Sequence, residues 1–176
     1  MVQIDGLLGN KELMKIIDFF ISNPNQEFSQ TETRKEIKIS KTTLIKWITE
    51  LKKLNFIILR KIGPSNLYKL NKDNSVVKQI KVLKTLFQLE PLKQINAEIY
   101  VYGSAARGED IKDSDIDLLI IGRLNRKDVI EEIDKLSKKI NKRISFKIFD
   151  RKEWSLISRK DKAFYERVEK DKIRIE

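Results

Sequence analysis

The chain has 176 residues, 40% of them hydrophobic, enough for one domain or two small ones with packed cores. It contains neither cysteine nor histidine, which excludes a disulfide framework, a thiol nucleophile and a Cys/His zinc site, and leaves carboxylate or lysine as any general base. The net charge of +11 is denser in the first half: residues 1–90 carry 16 Lys/Arg against 9 Asp/Glu, and residues 91–176 carry 21 against 17.

Taken from its start, the chain shows no leader of the basic, apolar, small-residue type and no apolar run near the length of a membrane span. The expectation is a cytoplasmic protein without membrane contact. Leu7-Leu8-Gly9-Asn10 is a short lead-in, with Asn10 placed to cap a helix. Leu13, Ile16, Ile17, Phe20 and Ile21 recur at helical spacing, and Asn23-Pro24 ends that helix. Glu27-Phe28-Ser29 opens a second helix over Gln30 to Ile37, with Ser29 as its cap. Ser40 caps a third, from Lys41 to Leu54, whose apolar residues Leu44, Ile48, Leu51 and Leu54 share one stripe. Asn55 takes the left-handed position after it.

Phe56 to Lys61 reads as a strand, Gly63-Pro64-Ser65-Asn66 as a turn, and Leu67 to Leu70 as the returning strand. Three helices followed by such a hairpin make a winged helix-turn-helix, and residues 40–58 with the Gly-Pro-Ser-Asn-Leu-Tyr wing resemble many archaeal and bacterial transcriptional regulators. In that arrangement the third helix enters the major groove of double-stranded DNA and the hairpin tip meets backbone or minor groove. Residues 40–72 hold eight Lys/Arg and a single acid, Glu50. Away from the apolar stripe, Lys41, Thr42, Thr43, Ile45 and Lys46 are placed for DNA, and Arg60, Lys61 and Asn66 are placed on the wing. Trp47 is expected to pack on the first two helices.

Residues 71–91 join the two halves. Val76, Ile80, Leu83 and Phe87 form an apolar stripe on a linker helix that stops before Pro91, and that stripe can pair with its copy in a homodimer. The resulting division is 1–72, a linker at 73–94, and a second domain at 95–176, an α+β organisation with a small mixed sheet. In the second domain, strand Ala97 to Val101 runs into a Gly-Ser turn and a short helix. Strand Asp115 to Ile121, a helix over Arg126 to Ile140 and strand Arg143 to Phe149 follow. Residues 152–176 read as one or two charged helices anchored by Trp154, Ile157, Phe164 and Val168.

Tyr102-Gly103-Ser104-Ala105-Ala106-Arg107-Gly108 precedes Ser114-Asp115-Ile116-Asp117-Leu118-Leu119, with ten residues between Ser104 and Asp115. Side chains two apart on a strand share a face, so Asp115 and Asp117 point the same way while Ile116 enters the core. Two such carboxylates suit Mg²⁺, and a side-chain-free Gly103 with the Ser104 hydroxyl suits an approaching phosphate. Gly-Ser, a ten-residue gap and Asp-x-Asp resemble the polymerase-beta-like nucleotidyltransferases, in particular the minimal nucleotidyltransferases of archaea and bacteria, relatives of the kanamycin-modifying enzyme. The resemblance implies Mg²⁺ or Mn²⁺ at Asp115 and Asp117, a nucleoside triphosphate at Gly103, Ser104 and Arg107, and a small helical toxin as a partner. Competent members carry a third carboxylate on the strand after the long helix. Here that strand offers Ser145 or Lys147, depending on register, with Asp150 and Glu153 further on. Two readings follow: a metal-dependent nucleotidyltransferase acting on a hydroxyl, or a DNA-binding regulator or antitoxin whose nucleotidyltransferase-like domain binds nucleotide or a protein without turnover.

Overall fold

The structure, a computed structural model, describes residues 9–175; the Leu7-Leu8 lead-in lies outside them. Seven α-helices and two small sheets are present among the described residues, a mixed α+β architecture. The chain divides into two compact units, the first ending at Val77 and the second beginning at Lys78. No helix of the described residues is long and apolar enough to cross a membrane.

In the first unit, α1 (Lys11–Ser22), α2 (Gln30–Ile37) and α3 (Lys41–Lys53) start where their caps stand. Asn10 accepts from the Leu13 amide, Ser29 closes a capping box with Glu32, and Ser40 accepts from the Thr43 amide. Leu13, Ile16, Ile17 and Phe20 of α1 are buried with Leu44, Ile48 and Leu51 of α3. Asn55 is left-handed, at φ +58, as its position after α3 requires.

Strands β2 (Ile57–Ile62) and β3 (Ser65–Leu70) pair antiparallel, and β1 (Phe28–Ser29) adds to β3 opposite Tyr68 and Leu67. Two expectations are corrected here. Phe28 and Ser29 form a strand before the helix rather than its opening, because extended backbone at Ser29 both pairs with β3 and fits the cap. The hairpin tip is Gly63-Pro64 alone: Gly63 at φ +55 turns the chain at once, so Asn66 lies on β3 opposite Lys61.

Helix α4 (Ser75–Leu89) runs into a 3-10 helix at Glu90–Gln94. The α-helix stops at Leu89, before Pro91 as expected, and Pro91 falls in the first turn of the 3-10 helix, where its missing N–H is not needed. The face of α4 that is buried differs from the expected stripe. Val76, Leu83 and Phe87 are exposed, Phe87 by 71%, whereas Val77, Lys81, Val82, Thr85 and Leu89 are buried. Lys81 and Thr85 belong to the inward face although they are polar, so counting apolar residues selects the outward one.

The second unit holds β4 (Glu98–Tyr102), β5 (Ile116–Ile121), α5 (Arg126–Ile140), β6 (Ile144–Phe149), α6 (Arg151–Lys160), α7 (Lys162–Glu169) and β7 (Ile173–Ile175). The sheet order is β6-β5-β4-β7, with β5 and β6 parallel and the other pairs antiparallel. Strand β7 stands where only helix was expected; Ile175 joins the core there and pairs with Ile99. One sheet face, with Ile99, Val101, Ile116, Leu118 and Ile120, packs with Val129, Ile133 and Leu136 of α5. The opposite face, with Tyr102, Leu119 and Ile121, packs with Phe164 and Val168 of α7. Fully buried Leu118, Leu119 and Ile120 each contribute about 1.5–3 kcal/mol, which clamps β5 between two layers. A clamped β5 fixes the two carboxylates at its head.

Candidate functional site

Asp115 precedes β5 and Asp117 is its second residue, with Ile116 between them wholly buried. The Ile116 amide donates to the Arg143 carbonyl at 2.9 Å, which anchors the strand's beginning against β6. Both carboxylates therefore face the side opposite to Ile116. Burial, and then the neighbouring Asp115 charge, push the Asp117 carboxyl above its ordinary value, while Arg167 opposes the rise. Asp115 is held by two neighbours: the Ser145 hydroxyl donates to its Oδ2 at 3.0 Å, and Arg143 Nε lies 3.4 Å from the same oxygen. The Arg143 side chain is 80% exposed, so this pair is largely screened.

The turn that faces these carboxylates is a single bonded turn, not the short helix expected. Arg107 N donates to Gly103 O, Gly108 N to Ala105 O and Glu109 N to Ser104 O; the last two, with Gly108 left-handed at φ +66, make a Schellman closure. Gly108 ends the turn after one cycle, and it has no room for anything larger: a Cβ there would stand 2.2 Å from the Lys78 carbonyl oxygen. Gly103, at φ +73, would place a Cβ 3.1 Å from Asp117 Oδ2. A glycine at 103 thus brings the turn's backbone against the carboxylate.

Three parts of the site left no local signal in the sequence. Asp171, between α7 and β7, accepts from the Gly103 amide at 3.1 Å and from Arg107. Arg107 also donates from Nε to Glu109 at 2.8 Å, so the guanidinium expected to meet phosphate is engaged by two carboxylates. Its hydrogen bond, followed by that of Lys78, holds the Glu109 carboxyl at about 2. Behind the turn, Asp110 is buried among Lys81, whose Nζ lies 3.0 Å from Oδ1, and Lys142, which bonds Oδ2. Asp110 Oδ1 receives no hydrogen bond, so the Lys81 contact there is one of charge and not of direction. The triad pins the loop between Gly103 and Asp115.

The register of β6 decides the third position. Ser145 pairs with Asp117, and Lys147 with Leu119, so the hydroxyl, not the lysine, stands beside the carboxylates. Asp150 and Glu153 are committed to one another as the capping box of α6. Among the described residues no three acidic side chains gather in a way that would hold a metal ion. Asp115 and Asp117 nevertheless fit a hard divalent cation as two of its oxygen ligands, since they share a face and their mutual repulsion is what such a cation relieves.

In the first unit, Lys41, Thr42, Ile45 and Lys46 are exposed on α3. Thr43 is half-buried, and its Oγ1 accepts from Ser40 at 2.8 Å. Lys46 Nζ lies 4.8 Å from the centroid of Trp47, which is itself half-buried. On the hairpin, Lys61 and Asn66 are exposed cross-strand partners, and Arg60 pairs with Glu27 at 3.3 Å.

A profile of the family described as a nucleotidyltransferase domain matches residues 76–173, a span that includes the helix joining the halves and the whole Gly-Ser and Asp-x-Asp segment. No curated protein matches the chain. Among solved structures, that of NolR from Sinorhizobium fredii is 18% identical, covers 47% of this chain and 76% of that one, and has a TM-score of 0.39. A candidate nucleotidyltransferase from Sulfolobus solfataricus is 23% identical over 57% of this chain and 84% of that one, with a TM-score of 0.34. Both scores are too low for a shared fold to follow.

Proposed function

The chain belongs to the nucleotidyltransferase domain family, and from that premise we propose that it transfers a nucleoside monophosphate from a nucleoside triphosphate to a hydroxyl acceptor. The observation that carries the reading is the like-charged pair Asp115/Asp117, fixed on one face of β5 with the Gly103 turn against it. Asp115 and Asp117 would hold Mg²⁺ or Mn²⁺. Such a cation, when bound, polarises phosphoryl oxygens and offsets developing charge. Gly103 and Ser104 present the turn to the phosphates, while Arg107, expected to join them, is engaged by Asp171 and Glu109. Among the described residues no third carboxylate stands beside the pair to serve as a base, which removes about 10²–10⁴ in rate from a fully equipped site.

Ser145 favours a second reading: a nucleotide-binding regulator, or an antitoxin with a small helical toxin partner, that does not turn over. The first unit supports a winged-helix role in either case. Its third helix exposes Lys41, Thr42, Ile45 and Lys46, and its hairpin exposes Lys61 and Asn66 for double-stranded DNA. The domain reading 1–72, 73–94 and 95–176 goes with that role. A homodimer is part of the proposal, with Leu83 and Phe87 on the exposed stripe of α4 as its seam.

Calorimetric titration of each Mg·nucleoside triphosphate, with pyrophosphate assayed afterwards in the presence of duplex DNA or lysate acceptors, tests the proposal. Binding that disappears in Asp115→Asn/Asp117→Asn, together with pyrophosphate release, supports transfer. Binding without release in every acceptor mixture supports the regulator.

A further inference from the structure

Strand β6 lacks the expected acid and carries a base. Lys147 follows Ser145 by two residues, so it shares the face of Asp117 about 6.7 Å further along the strand. Its Nζ lies 4.0 Å from the centroid of the Phe164 ring. Arg167, one turn along α7 from Phe164, brings its Cζ to 5.4 Å from the same centroid. Phe164 is buried and stands edge-on to Tyr102 at 6.0 Å, and Tyr102 is the cross-strand partner of Asp117. The ring thus gathers two cations one residue pair away from the carboxylates.

Neither cation has a carboxylate within ion-pairing distance among the described residues, in contrast to Arg107, which has two. An aromatic face attracts a cation but does not neutralise it, so two like charges on one ring still repel each other. An anion set between them relieves that repulsion, as a divalent cation relieves it between Asp115 and Asp117. One sheet face then carries a negative pair and a positive pair side by side, the charge pattern of a metal-bound polyphosphate in reverse.

We propose that Lys147 and Arg167, gathered on the Phe164 ring, receive the phosphate chain of a nucleoside triphosphate whose metal end meets Asp115 and Asp117. The assignment rests on the nucleotidyltransferase reading for its ligand class. It places the phosphates on cations that are already available, with Arg107 left to secure the turn. With Ser145 in the acid's place and Lys147 one residue pair further along β6, the site is shifted towards anion binding.

The test is calorimetry on the full chain with two probes: inorganic tripolyphosphate without metal, and Mg·ATP. Lys147→Gln/Arg167→Gln keeps the stems on Phe164 and removes the charges; it should weaken tripolyphosphate binding by roughly tenfold or more for each charge, whereas Arg107→Gln should change it by less than about threefold. Lys147→Arg should bind as the native chain does, which separates charge from packing. The proposal is overturned if no protein binds tripolyphosphate, if the double variant binds it unchanged, or if Arg107→Gln is the one that loses it. Asp115→Asn/Asp117→Asn separates this outcome from the enzymatic reading. Should that variant bind Mg·ATP as well as the native chain while tripolyphosphate still depends on Lys147 and Arg167, the metal site fails and the anion seat stands.

Discussion

The two units use charged residues in opposite ways. On α3 and the hairpin of the first, Lys41 and Lys61 face solvent with no carboxylate partner among the described residues. Around the Gly103 turn of the second, charges are turned on one another: Asp110 between Lys81 and Lys142, and Arg107 between Glu109 and Asp171. An unpaired surface charge is available to an external polyanion and adds little to stability. A paired and buried one, as at Asp110, holds a loop in place and must be released before it can bind anything else. Charge density along the chain therefore marks where an external polyanion could be met, and says little about where the paired cluster around the Gly103 turn lies.

Two glycines sharpen the contrast most. Gly63 and Gly108 are both left-handed, yet a Cβ at Gly63 meets nothing within 4 Å while one at Gly108 meets the Lys78 carbonyl. Gly108→Ala should cost the second unit about 3–5 kcal/mol, from strain and clash together. Gly63→Ala should cost only the left-handed penalty, about 1–2 kcal/mol. Denaturant melts of both variants check this, and equal losses would break the comparison. Asp110→Asn leaves a buried and a half-buried lysine facing a neutral amide and should destabilise by about 3–5 kcal/mol, again by denaturant melt. No exposed charge of α3 should approach that figure.

A smaller effect is expected from pH. The Glu109 carboxyl sits at about 2 when folded against 4.5 ordinarily, because Arg107 and then Lys78 favour its charged form. A depressed value contributes stability that is whole above pH 4.5 and fades as pH falls towards 2. Thermal melts across that window should show a shallower decline for Glu109→Gln than for the native chain. The smallest change in stability belongs to Lys41→Ala/Lys46→Ala, whose melt should match the native one within about 0.5 kcal/mol. Its signature lies in DNA binding instead: anisotropy over a salt series should show the slope of log affinity against log salt reduced by about 1.8. An unchanged slope would remove α3 from the interface.

Much of this architecture was legible in the residues. Asn10, Ser29 and Ser40 announce helix starts because a cap bonds an amide only three residues away. The range Arg126–Ile140 for α5 was expected from the sequence and is observed, and the structure adds Asn125 as its cap. The face shared by Asp115 and Asp117 follows from the two-residue period of a strand. Where competing signals meet, the local pattern misleads. The expected stripe on α4 is its solvent face, because a buried lysine and threonine on the other side carry no apolar mark.

What the sequence by itself determined is thus the set of short-range features: caps, strand periods, the Gly-Ser and Asp-x-Asp segments, and the excess of positive charge on the first half. Only the tertiary structure decided that Ser145, not Lys147, stands opposite Asp117, since parallel register depends on how α5 returns the chain to the sheet. Only it brought Asp171 to the Gly103 amide across 68 residues, and gathered Lys147 and Arg167 on one ring. The physical reason is one of range. Backbone hydrogen bonding and side-chain period act over a few residues and leave their pattern in the local sequence. Packing between distant segments is chosen by the whole core and leaves none.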